Sequence, residues 1–319
     1  MKKRTIWIII ALCCVIIGTI IFVSGMSKID WDFKKLGSYN FETNAYEIVD
    51  EFNKIEINAK TANINFQLAE DGECKVVCYE NKKEKHLTSV DNGVLKINYT
   101  NEKRWYDYLH LLSNAPKITV YLPDLDNITL VIKVSTGDIK VPSDFTFESI
   151  SISGSTCHVK CCASSINQTK IHVSTGDIII ENTTAKNYDL HVTTGDIIIE
   201  NTTAKNYDLH VTTGDTKMTN VNCENIVSTG STGDIKLNNV IASEKISIER
   251  STGKVKFYRC DANELKIITS TGDVEGTLLS DKVFIVKSST GDIDVPSSIT
   301  GGRCEITTST GDIEVRVVN

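Results

Sequence analysis

The feature that most constrains this chain is a four-residue string, Ser/Thr-Thr-Gly-Asp, that recurs through its C-terminal part at nearly constant spacing. Its glycine falls at Gly137, Gly176, Gly195, Gly214, Gly233, Gly272, Gly291 and Gly311. Gly253 continues the series with Lys254 in the Asp place, and Ser155-Thr156-Cys157-His158 keeps the spacing with Cys for Gly and His for Asp. The ten turns lie 19 or 20 residues apart, a period that means stacked repeats rather than an ordinary globular domain. Residues 177–195 and 196–214 are identical, so a catalytic residue unique to one copy is not expected there.

The alternation inside each repeat identifies its elements. The second residue after the glycine is aliphatic in nine of ten repeats, Thr216 being the exception, and the fourth is mostly apolar. Before the glycine, apolar residues recur at the fifth and seventh places, as in Tyr188 and Leu190 or Ile246 and Ile248. Alternation with period two predicts strands with one buried face. One such repeat is too small to bury a core, but stacked copies pair their backbones and align their apolar positions into columns. The expected fold is all-β: a single-stranded parallel β-solenoid of about ten 19–20-residue rungs, forming a rod about 50 Å long at the usual strand spacing.

The N-terminus has a different logic. Lys2, Lys3 and Arg4 precede an uncharged run from Ile6 to Gly25, long enough as a helix to cross a bilayer. Its end, VSGMSK, is a poor match to the Ala-x-Ala type of signal-peptidase site. The expectation is an uncleaved single-pass anchor with its N-terminus cytoplasmic and the rest outside, following the positive-inside rule. Of the total charge of −7, residues 1–26 contribute +3 and contain no acid, so the exterior carries −10. That exterior is not expected to bind nucleic acid or anionic lipid. Residues 1–26 are thus assigned as basic tip and anchor, 27–126 as juxtamembrane segment and β-rich cap, and 127–319 as the repeat domain. Within the cap, Trp105, Tyr108, Leu109 and Leu112 have helical spacing.

Three side-chain sets are candidates for chemistry. Asp138, Asp177, Asp196, Asp215, Asp234, Asp273, Asp292 and Asp312 follow the turn glycines and are expected to form a column. Such carboxylates either accept hydrogen bonds from turn amides or bind a divalent cation such as calcium; both readings stay open. His172, His191 and His210 each lie four residues before a turn glycine and should stack outward, where imidazoles with Asp189 and Asp208 are candidates for a transition metal or a pH sensor. The run Cys157-His158-x-x-Cys161-Cys162 has metal-like spacing, but alternation turns Cys161 inward and His158 and Cys162 outward. No cofactor is required. No layer exceeds 20 residues, and the G-x-S-x-G, H-E-x-x-H and phosphate-loop motifs are missing, so an enzyme is not expected.

The order IEINAKTANINF, GVLKINY, KITVYLPD and then repeated STGDI resembles the bacterial "putative-adhesin" β-strand-repeat family, a domain of unknown function, over roughly residues 45–319. The resemblance implies a surface β-solenoid, often behind a membrane anchor and sometimes linked to envelope-stress sensing, with no family catalytic residues. The expected role is non-catalytic: adhesin-like binding of an envelope polymer or surface protein, or stress sensing. Two alternatives are a scaffold polymerising through solenoid ends, hence a homo-oligomer, and a divalent-cation-binding repeat protein.

Overall fold

In the computed structural model, residues 3–28, 31, 41–101 and 115–318 are described. Helix α1 (Lys3–Ser27) is followed by 23 strands. The first seven are β1 (Phe41–Ile48), β2 (Lys54–Thr61), β3 (Asn63–Leu68), β4 (Cys74–Asn81), β5 (Glu84–Asp91), β6 (Val94–Asn101) and β7 (Lys117–Leu122). Then come β8 (Thr129–Thr136), β9 (Ile139–Val141), β10 (Thr146–Thr156), β11 (Val159–Cys161), β12 (Ser164–Thr175), β13 (Ile178–Glu181) and β14 (Thr184–Thr194). Long strands follow: β15 (Ile197–Thr213), β16 (Thr216–Thr232), β17 (Ile235–Thr252) and β18 (Val255–Thr271). The chain ends with β19 (Val274–Leu278), β20 (Lys282–Thr290), β21 (Ile293–Asp294), β22 (Gly302–Thr310) and β23 (Ile313–Val317). Trp7–Ser27 of α1 is long and apolar enough to cross a membrane.

The strands form a parallel β-solenoid of about nine turns. Equivalent residues of identical repeats stand opposite one another, Leu190 on Leu209 and Ile178 on Ile197. A complete turn such as 197–213 has three segments, pairing to the next turn at 197–200, 202–203 and 206–213. Ile197, Ile199, Ala204, Tyr207, Leu209 and Val211 of that turn point inward and are buried. Gly214 makes the first corner at φ 138°, and a Cβ there would overlap the Gly195 carbonyl of the turn below. Only glycine combines that conformation with that approach. The second corner is an asparagine ladder. Asn182, Asn201, Asn220 and Asn239 adopt φ 53°, 54°, 54° and 54°, a left-handed conformation that asparagine tolerates. Each side-chain amide donates to the carbonyl oxygen of the one below, at 3.0, 2.8 and 3.0 Å.

The order of layers departs from the order of the chain at both ends. One face runs β5-β6-β2-β8-β10-β12-β14-β15-β16-β17-β18-β22-β20. The first turn, β2 and β3, is therefore sandwiched between β6/β7 and β8/β9. Likewise the last turn, β22 and β23, lies inside, with β20 and β21 on the outer side. Chain order alone would put the layer from Asp312 onward at the open edge; among the described residues β20 and β21 hold that place instead. All repeats share one apolar pattern, so period alone does not encode which layer is outermost. Beyond β6 and β7, antiparallel β5, β4 and β1 extend the stack. Parallel stacking thus begins within the stretch expected to be the cap. The helical spacing around Trp105 lies outside the described residues.

Candidate functional site

Parallel register turns one outward position into a line along the rod. Asn98 stands opposite Asn58 on β2, Asn58 opposite Lys133, Lys133 opposite Ser153, and Ser153 opposite His172. The line continues through His191, His210 and Thr229. Asn58 donates to Asn98 at 2.9 Å, and His210 Nδ1 shares a hydrogen bond with the Thr229 hydroxyl at 2.9 Å. Ser135, Ser153, Gly154, Ser155 and Ser174 are too small to fill the outer face here. A groove of about 880 Å³ opens between Lys60, Tyr99 and Lys133 on one side and His172 and His191 on the other.

The predicted histidine column forms. Ring centroids lie 5.3 Å apart for His172 and His191, and 4.4 Å for His191 and His210. His172 Nε2 donates to Asp189 at 3.0 Å, and Lys170 pairs with the other oxygen at 2.7 Å. Burial pulls the Asp189 carboxyl upward, but these two partners outweigh it and leave it below its ordinary range. Burial, then the like-charged neighbours His210 and His172, hold His191 below the usual imidazole value against the opposing pull of Asp189 and Asp208. The three imidazoles are not brought together with an acid as a compact group of metal donors. Among the described residues one such group is found, and it lies elsewhere: Cys78, Glu80 and His86.

The turn aspartates are placed as a hydrogen-bonded ladder. The Asp196 amide donates to Asp177 Oδ1, Asp215 to Asp196, and Asp234 to Asp215, at 2.9, 2.7 and 2.8 Å. Near the end, the Asp312 amide donates to Asp273 Oδ1 at 3.1 Å and Asp292 to Asp312 at 2.8 Å, following the exchanged order of layers. Asn63 takes the acceptor's part for Asp138 at 2.9 Å, and the His158 ring takes it for Asp177 at 3.2 Å. Lys254, the departure from the pattern, donates its amide to Asp234 at 3.0 Å and pairs its ammonium with Asp273 Oδ2 at 2.9 Å. That hydrogen bond, then the Asp312 amide, holds the Asp273 carboxyl below its ordinary value. Asp177, Asp196, Asp215, Asp234, Asp273 and Asp312 thus each have Oδ1 engaged.

All ten cysteines are free thiols. Burial pushes Cys161, Cys223 and Cys304 up to about 12 and Cys260 up to about 11, so these thiols stay protonated and inert at neutral pH. Two groups escape the sequence reading. One is Glu80 with His86, both fully buried. The signal is the parity of β4, where Cys74, Val76 and Cys78 face inward and Glu80 shares that face. The other is Arg250, whose guanidinium enters the solenoid core. Its Nη1 donates to the Val211 and Thr229 carbonyls, both at 2.9 Å, and its Nη2 to the Thr216 hydroxyl at 2.8 Å.

Comparison with solved structures finds distant matches. A protein of Bacteroides fragilis described as a putative adhesin is 17% identical, covering 88% of this chain and 98% of its own, with a TM-score of 0.44. A protein of Parabacteroides distasonis described as a putative lipid binding protein is 16% identical over 87% of this chain and 98% of its own, with a TM-score of 0.41. A Clostridium sporogenes protein described as a putative cell adhesion protein is 9% identical over 88% and 100%, with a TM-score of 0.21. No curated protein matches. The Toastrack DUF4097 family profile matches residues 52–237 and again 210–319, spanning every turn from β2 to β23. In agreement with the resemblance carried by its STGDI repeats, the chain belongs to the Toastrack DUF4097 family.

Proposed function

We propose that the chain is a non-catalytic, membrane-anchored surface protein whose solenoid binds a hydroxyl-rich envelope polymer along the outward column from Asn58 to His191. The observation that carries this reading is the groove itself. It is open and about 880 Å³, and one register line runs through it across successive layers, which suits an extended chain rather than a compact substrate. Serines, Asn58, Lys60 and Lys133 line it. Hydrogen-bonding groups and cations match a polyol or a glycan bearing negative charge. Because the units repeat, weak contacts add through multivalency. In this reading α1 spans the cell membrane once, with Lys2, Lys3 and Arg4 cytoplasmic and the solenoid outside; coupling to envelope-stress sensing is one use of such a binder.

The test is binding of the full chain, in detergent micelles, to an array of envelope polysaccharides and polyol phosphates. Binding that falls at least tenfold in Lys133→Ala and Ser153→Trp, with the fold unchanged by circular dichroism, supports the groove. No binding, or binding indifferent to both changes, overturns it. A second reading rests on the outer strands β20 and β21, which have a pairing partner on one side and leave Ile285 and Ile293 exposed. An unpaired edge of this kind is a template for end-to-end assembly. Sedimentation of the full chain that stays monomeric at high concentration sinks the scaffold version.

A further inference from the structure

The sheets change partner at the β4–β5 hairpin. β4 belongs to the face of β3 and β7, whereas β5 pairs to β6 on the other face, and the two strands meet at the single pair Asn81 and Glu84. Glu80 sits just before this crossing and His86 just after it. Both are fully buried, as is Cys78 two residues earlier on the inward face of β4. One donor atom from each of the three lies within 4.8 Å of the others.

The group is built, and it is incomplete. Glu80 Oε1 accepts the Asn44 side-chain amide at 2.8 Å, while Oε2 accepts the His86 backbone amide at 2.7 Å and the His86 Nδ1 hydrogen at 2.8 Å. The carboxylate is thereby held against the imidazole, and the gap between Oε2 and Nδ1, bridged here by a hydrogen, is the place an ion can take. Nε2 is itself buried and has no hydrogen-bond partner. It is therefore open to carry the hydrogen when Nδ1 gives it up.

We infer that Cys78, Glu80 and His86 bind one divalent transition-metal ion of the zinc class, which fastens the two faces of the solenoid together at the end formed by β1, β4 and β5. A thiolate, an imidazole and a carboxylate are the donor types that zinc takes, whereas calcium and magnesium take oxygen. The charges balance: a dication with one thiolate and one carboxylate makes a neutral buried site. On binding, the Cys78 thiol loses its proton to solvent as the sulfur–metal bond forms, the hydrogen on His86 Nδ1 moves to Nε2, and Nδ1 donates its lone pair to the ion, which takes the hydrogen's place beside Glu80 Oε2. Donors around a tetrahedral zinc lie about 3.3–3.6 Å apart; His86 Nδ1 and Glu80 Oε2 stand 2.8 Å apart and part slightly to admit the ion.

The experiment uses the full chain in detergent micelles, stripped of metal and titrated with cobalt(II), then zinc. The expected result is a thiolate-to-cobalt charge-transfer band that saturates at one ion per chain and is bleached by zinc. Cys78→Ser abolishes the band, His86→Ala weakens binding at least tenfold, and Cys74→Ser, on the same strand face, retains it. A wild-type chain without the band, or a band that survives Cys78→Ser, overturns the assignment. Should either variant fail to fold, X-ray absorption of the zinc-loaded wild type decides. One sulfur among nitrogen and oxygen donors supports the site; a shell without sulfur, as the surface histidines would give, overturns it.

Discussion

Arg250 fills the space that Gly230 leaves open. The two residues stand opposite each other on β16 and β17, and a Cβ built on Gly230 would overlap the Arg250 Nη1 atom and the Val211 carbonyl. Neighbouring turns carry Val192 and Val211 at the same place. Three departures from the repeat are therefore one unit: Gly230 provides the hole, Arg250 enters it, and Thr216, in the aliphatic column, accepts the guanidinium's hydrogen bond. Burial lowers the pKa of Arg250, yet a guanidinium keeps its charge, so every acceptor counts.

Gly230→Ala is expected to destabilise the protein by about 1–3 kcal/mol through overpacking. Thr216→Val, which strands a charged donor, is expected to cost at least a similar amount. In a double-mutant cycle by urea denaturation, Gly230→Ala with Arg250→Ala should show coupling of about 0.5–3 kcal/mol. Recovery should be partial, because the Val211 carbonyl remains in the way. Strict additivity rejects the unit.

The turn ladder predicts that acceptor capacity, not charge, is what matters after the glycine. Asp215 Oδ1 accepts the Asp234 amide at 2.8 Å. Asp215→Asn retains an acceptor oxygen and should be close to neutral, whereas Asp215→Ala should cost about 1 kcal/mol, as for other hydrogen bonds of this type. Calcium added to millimolar concentration should leave the thermal midpoint of the wild type unchanged. A rise of several degrees, lost in Asp215→Asn, would instead favour the cation reading.

Much of this was legible from the sequence, for physical reasons. The strand alternation reports burial directly, and parallel stacking forces identical repeats into register, so the histidine and aspartate columns followed from spacing. The corner ladder at Asn182, Asn201, Asn220 and Asn239 was equally periodic, but its meaning depends on a left-handed backbone that spacing does not reveal. Glu80 with His86 required knowing that β5 leaves β4 for the other face. Arg250 was hidden because one residue's departure from a pattern says little until its neighbours' departures are seen to face it.

His191 carries a pH prediction. Its folded pKa is depressed by burial and by His210 and His172, while Asp189 and Asp208 oppose the shift. Below the ordinary imidazole value of about 6.5, the unfolded chain binds a proton that the folded chain resists, so stability falls as pH falls through that window. The thermal midpoint should drop between about pH 7.5 and about pH 5.5, and His191→Asn should flatten the drop. A profile identical in the two proteins rejects the assignment. Asp273, with its pKa lowered by Lys254, acts in a separate, more acidic window. Its contribution is present above the ordinary carboxylate value of about 4 and is lost as pH falls toward its folded value.

The exchanged layers at the C-terminal end give the sharpest test, because two isoleucines at the same place in the repeat have opposite fates. Ile313 and Ile293 are each the second residue after a turn glycine, and they face each other across β23 and β21. Ile313 is 1% exposed and Ile293 45% exposed, because β23 has β19 on its other side and β21 ends the stack. If layers followed chain order, Ile313 would belong to the outer edge and Ile293 to the interior. The structure reverses this. Ile313→Ala should cost about 2–5 kcal/mol, as for a buried aliphatic truncation, and Ile293→Ala about 1 kcal/mol or less, as for a surface change. Urea denaturation of the two variants decides the matter: equal losses, or a larger loss at Ile293, would mean that the last turn is not threaded inside.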